Sequence, residues 1–139
     1  MAAMGNYLEG QIIKYWLQND ATAVAKPATV YVALYTAATT DVSASGTEVT
    51  GAGYARVAVT NNATNWAGPT DNDGTVTNGA AITFGAPTAN WGDIGWVAIK
   101  TASTGGETLF HGALSAVKTV NNGDPAFSFP IGAISIQID

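Results

Sequence analysis

One histidine, ten carboxylates and no cysteine are the raw material for chemistry in this 139-residue chain. Without thiols there is no disulfide framework, no thiolate metal ligand and no thiol nucleophile. His111 falls inside a predicted strand. A general base there needs an orienting partner and a nearby nucleophile, and no G-x-S-x-G elbow supplies one. A single imidazole is likewise no metal site, so a structural or surface histidine is expected. Asp71-Asn72-Asp73-Gly74 spaces oxygen ligands as a calcium loop does. The EF-hand pattern continues with a third Asp/Asn and ends in Glu, but Thr75 and Ile82 stand at those places. An Asp/Asn/Gly turn is the better reading, with room for an adventitious cation at Asp71 and Asp73. Gly51-Ala52-Gly53-Tyr54 lacks the third glycine and following helix of a phosphate cradle and reads as a bend at a strand entry. Asn62-Ala63-Thr64 matches a glycosylation sequon, which matters only in a secreted eukaryotic protein. Glycosidase-type carboxylate pairs have no sequence signature, and the scattered acids read as a solvated surface. The expectation is no catalytic residue, no cofactor and no metal.

Composition narrows the partners. Only 11% of residues are charged, for a net of −5, while 47% are hydrophobic. Soluble proteins average about 25% charged residues. Here 25 alanines, 16 glycines and 18 threonines take their place. Five isolated basic residues cannot neutralise a run of phosphates, so no nucleic-acid partner is expected. No apolar stretch approaches the ~18 residues of a membrane span. Met1-Ala2-Ala3-Met4-Gly5 lacks the basic start and long apolar run of a signal peptide. High apolar content with low net charge is the reverse of the disorder signature. One domain made in the cytosol is expected, with residues 1–20 as a helix or arm and 27–139 as a β domain.

The elements that would position these residues are legible from periodicity. Met4, Leu8, Ile12 and Tyr15 recur at helical spacing, broadened by Ile13, Trp16 and Leu17. Asn6 with Glu9 resembles a capping box, and Asn19-Asp20 offers a stop. Gly10 costs about 1 kcal/mol inside a helix, so packing must support it. After Lys26-Pro27 the period falls to two. Strands are predicted over 29–36, 56–60, 80–84, 94–100, 109–117 and 134–138. In the first, Val30, Val32 and Leu34 face one side and Tyr31, Ala33 and Tyr35 the other. Ile94–Lys100 is dense enough to be covered on both faces. Short strands separated by Gly/Asn/Thr/Pro loops, without helical crossovers, predict a mainly β fold. Its form is an antiparallel β-sandwich or jelly-roll-like domain with one N-terminal amphipathic α-helix.

Two loops, Thr36–Gly53 and Asn61–Gly79, exceed hairpin length, and Trp66 lies in the second, either folded onto the core or meeting a partner. Asn78-Gly79 and Asn122-Gly123 read as ordinary tight turns. The helix either covers its own sheet or docks on a neighbour. Tyr7, Leu8, Ile12, Tyr15, Trp16 and Trp66 are the candidate assembly contacts. A weakly charged surface suits a protein that lies against copies of itself or its neighbours.

NYLEGQIIKYWL, ATVYVALYTA, GTEVTGAGYARVAVT, ITFGAPTANWGDIGWVAIK, TGGETLFHGAL, KTVNNGD and GAISIQID together are similar to a phage family. It is the family of small tailed-phage virion proteins commonly labelled tail fibre protein. The resemblance runs from Asn6 to Asp139, with a longer loop over Asn61–Gly74. It implies a non-enzymatic structural role in the virion, made in the host cytoplasm. The implied partners are the major capsid protein or tail proteins, with self-association as a homo-oligomer such as a trimer. A compact β domain also resembles capsid decoration (cement) proteins, and that role is the first expectation. A tail fibre or adhesin module reading a host surface glycan through the two long loops is the alternative.

Overall fold

A computed structural model describes residues 2–23, 26–69 and 73–138. In chain order the elements are β1 (Ala3–Met4), α1 (Asn6–Leu17), β2 (Thr29–Ala37), β3 (Thr47–Glu48), β4 (Val57–Thr60) and β5 (Trp66–Ala67). There follow β6 (Thr75–Asn78), β7 (Ile82–Thr83), β8 (Gly92–Lys100), β9 (Thr108–Val120), β10 (Ser128–Phe129) and β11 (Ser135–Gln137). The fold is mainly β with one helix near the N-terminus, as the periodicities predict.

A six-stranded antiparallel sheet runs β1-β9-β8-β2-β3, with β4 also paired to β2. Two small sheets, β10-β7 and β11-β6-β5, complete the molecule. Val30, Val32 and Leu34 of β2 and Ile94 and Ile99 of β8 share one core with Ile82, Phe84, Phe127, Phe129, Ile134 and Ile136. The core therefore lies between the large sheet and the small ones. Phe84, Phe127 and Phe129 meet edge to face within it, the arrangement that ring quadrupoles favour.

The opposite face of the large sheet is chemically different. Pairing of Tyr31 with Lys100, Ala33 with Ala98 and Tyr35 with Trp96 puts these residues together on that face. His111 joins them opposite Ala98. Alternation along a strand dictates this division. Ala33, Tyr35 and Ala98 are buried there as a second cluster, with Trp96 packed against them.

The structure corrects several expectations. Gly5, not Asn6, is the helix N-cap, and no side chain caps it. A Cβ on Gly5 would lie 2.3 Å from the Thr108 carbonyl oxygen, so only glycine lets the chain pass this close to β9. Its N–H donates to Leu109 O at 2.9 Å. Met4 belongs to β1, paired with Phe110, rather than to the helix. The two long loops are not unstructured: the first contains β3, and the second contains β5 and β6. Their strands are only two to four residues long, which hides them from a period-two search. Asn78 is no ordinary turn residue. It is fully buried, its amide nitrogen donates to Ala80 O and Pro130 O, and its amide oxygen accepts from the Ile134 N–H. At the helix end the expected stop is present: Asn19 adopts a φ of 55° and the Asp20 N–H donates back to Lys14 O.

Candidate assembly surface and polar cleft

The candidate contact residues divide along α1. Tyr7 and Leu8 pack against the main core, over a cavity of ≈ 190 Å³ that they share with Leu109 and Phe110. Ile12 is half-buried. Beyond it the helix leaves the sheet: Ile13 and Tyr15 are exposed, and Trp16 and Leu17 are 75% and 80% exposed. The Tyr15 and Trp16 rings meet edge to face at 5.6 Å. Gly10 sits on the open side, with nothing within 4 Å of where its Cβ would be. The helix thus covers its own sheet with one half and presents an apolar surface with the other. Trp66 is separate from that surface. It lies in β5, half-buried against the core, and lines a cavity of ≈ 160 Å³ with Val30, Val76 and Ile136. Its indole thus folds back onto the core, one of its two expected fates.

The polar side chains converge elsewhere, on the outer face of the large sheet. Segment 39–46 folds over that face and is pinned by two buried groups. His111 bridges Thr39 Oγ1 at 3.1 Å and Asp41 Oδ1 at 2.9 Å. A carboxylate only accepts, so the Nε2–H donates to Asp41, and in the neutral ring Nδ1 accepts from the Thr39 hydroxyl. The expected structural histidine is realised as a clamp. Lys100, 2% exposed, donates from Nζ to Ser43 O at 2.5 Å and to Thr108 Oγ1 at 2.9 Å. Ser43 Oγ also donates to Glu107 Oε2.

Beside this clamp stands an ion pair that sequence reading missed. Arg56 donates from Nε and Nη2 to the two oxygens of Glu48, each at 2.7 Å, and from Nη1 to Ala102 O and Gly105 O. Tyr54 donates to Glu48 Oε1 at 2.8 Å and accepts from the Leu34 N–H. The intervening turn allows it: Gly53 has a φ of +87°, and a Cβ there would meet Ala86 O at 2.3 Å. Burial opposes the Glu48 carboxylate, but the hydrogen bonds from Arg56 and Tyr54 outweigh it and hold its pKa below the ordinary value. The Arg56 pKa is raised, first by its hydrogen bond to Glu48. Burial, then the Arg56 charge, lowers that of Lys100. Burial, then Glu48, raises that of the Tyr35 phenol.

These groups line a cleft of ≈ 460 Å³ rimmed by Gly46, Gly105 and Gly106. The Arg56–Glu48 pair is spent on itself and on two carbonyls. Among the described residues no group of three or more His, Asp or Glu could hold a metal ion. Asp71 and Asn72, the start of the calcium-like sequence, lie outside the described residues; Asp73 accepts a hydrogen bond from the Thr75 N–H, as in a turn.

Residues 3–137 match the model of a family described as Podophage GP4 fiber I protein gp80, and the chain belongs to that family. No curated protein matches it. The protein is a phage virion structural component of fibre type, made in the host cell.

Proposed function

We propose that the chain is a non-enzymatic assembly module of a phage fibre, seated on neighbouring virion subunits through the exposed half of α1. The supporting observation is that half-helix: Ile13, Tyr15, Trp16 and Leu17 stand in solvent on an element whose other half is anchored. Isolated helices of this length are marginal in water, and leaving large apolar side chains uncovered forgoes about 1.5–3 kcal/mol each. A partner surface recovers that. The whole surface agrees: 7547 Å² is accessible, against about 6,700 Å² for a monomer of 14.1 kDa. In this role residues 1–20 act as a docking arm on the β domain. The neighbour is a tail protein or a second copy.

Capsid decoration is the second reading, favoured by the folded domain being a layered β unit rather than a repetitive shaft. Copy number per virion, measured by quantitative mass spectrometry, separates the two. A few copies, at the stoichiometry of tail proteins, supports the fibre reading; a count matching the shell lattice overturns it for decoration. The adhesin role of a fibre rests on another part of the molecule, the cleft beside segment 39–46.

A further inference from the structure

The outer-face cleft has hydrogen-bonding capacity left over after the fold is satisfied. Lys100 has three N–H donors and spends two of them, on Ser43 O and Thr108 Oγ1. Glu107 uses Oε2 to accept from Ser43, which leaves Oε1. The Tyr35 hydroxyl makes no hydrogen bond to any described residue, yet no unpartnered side-chain oxygen is sealed from solvent. It therefore opens on the cleft it lines.

Charge selects among ligands. Arg56 and Lys100 balance Glu48 and Glu107. An anion drawn to Lys100 meets the Glu107 carboxylate, and a cation drawn to Glu107 meets Lys100. A neutral ligand whose groups both donate and accept meets no opposing charge. The spare groups comprise one cationic donor, one hydroxyl and one anionic acceptor, which is the complement of adjacent alcohols. At Gly105 nothing lies within 4 Å of where a Cβ would be, so that part of the rim is open to a ring.

We infer that this cleft is a binding site for a neutral polyhydroxylated ligand, a saccharide ring held by Lys100, Tyr35 and Glu107. The site deepens the adhesin role and is independent of the α1 contact. Lys100 and the hydroxyl of Tyr35 donate to ring or hydroxyl oxygens, and Glu107 Oε1 accepts from a hydroxyl. Arg56 and Glu48 act as positioning residues that hold the floor.

The test is an NMR titration of the full chain with glucose, galactose, rhamnose and N-acetylglucosamine, with acetate and acetamide as controls. At least one sugar is expected to shift the amides of 43–48 and 105–107 saturably. Tyr35→Phe removes only a hydroxyl that the fold does not use, so thermal unfolding should be unchanged while sugar affinity falls about tenfold. Three results would each overturn the proposal: no saturable shift with any of the four sugars, equal binding of acetate or acetamide, or unchanged affinity in Tyr35→Phe. Sugar binding in a phage whose adsorption that sugar does not block would remove the adhesin role and leave the site standing.

Discussion

The far half of α1 and the outer face of the large sheet make opposite use of a short supply of chemistry. Ile13, Tyr15, Trp16 and Leu17 are apolar and exposed, and the Tyr15 and Trp16 rings meet each other. Arg56, Glu48, Lys100 and His111 are polar and largely enclosed, and Arg56, Lys100 and His111 are bonded to segments far away in sequence. In a chain with so few charges, Arg56, Glu48 and Lys100 are gathered on one face, beside the His111 imidazole, to hold loops in place. Removing side chains from the sheet face should damage folding. Removing them from the far half of the helix should damage only association. The low charge content thus has two structural meanings, a frugal internal clamp and a helix surface on which Lys14 is the one ionic group between Ile13 and Leu17 to desolvate on contact.

The largest effect is expected where a polar group is most completely enclosed. Asn78→Ala leaves the Ile134 N–H and two carbonyls without their partner and should cost about 3 kcal/mol in urea unfolding. A loss below about 1 kcal/mol would mean that the buried amide does not bracket the two small sheets. Arg56→Ala comes next. It strands the partly buried Glu48 carboxylate and frees the 102–105 turn, and chemical denaturation should register about 2 kcal/mol.

Acidification tests the same pair without mutation. The Glu48 pKa is lowered in the folded state from a value of 4.5. Its contribution is therefore present above about pH 4.5 and is lost as pH falls through the lower folded value. Melting temperature should drop through that acid window, and Glu48→Gln should flatten the drop.

Gly10→Ala should move stability the other way. The site is open, so helix propensity acts alone and adds up to about 1 kcal/mol. The smallest change in stability belongs to Trp16→Ser, within about 0.5 kcal/mol of the parent, with association weakened. A folding loss as large as that of Arg56→Ala would erase the distinction between the two regions.

How much of this was legible depends on the sequence distance of each contact. The alternation of Val30, Val32 and Leu34 against Tyr31, Ala33 and Tyr35 announced β2 and both its faces, because strand geometry is local. The helix and its amphipathic residues were legible for the same reason, although which half would be covered was not, since that depends on where β9 lies. β6 was missed because Thr75-Val76-Thr77-Asn78 offers one apolar residue. It is a strand only through its pairing with Ser135-Ile136-Gln137 on one side and Trp66-Ala67 on the other. The His111–Asp41 clamp joins residues 70 apart, beyond any spacing rule. Glu48 and Arg56 are only eight apart, and the glycines at 51 and 53 were the available signal: a tight reversal between opposite charges. Trp66 stood out as an aromatic in a polar loop, but only the fold could say that it turns inward.

The claim that α1 seats this domain in the virion is tested most directly by the double variant Trp16→Ser/Leu17→Ser, produced during phage infection in place of the parent chain. The measurement is its copy number in purified particles by mass spectrometry, beside the thermal unfolding of the isolated variant. The account predicts a normally folded protein that is largely missing from the particles. Incorporation at the parent copy number by a normally folded variant would contradict it.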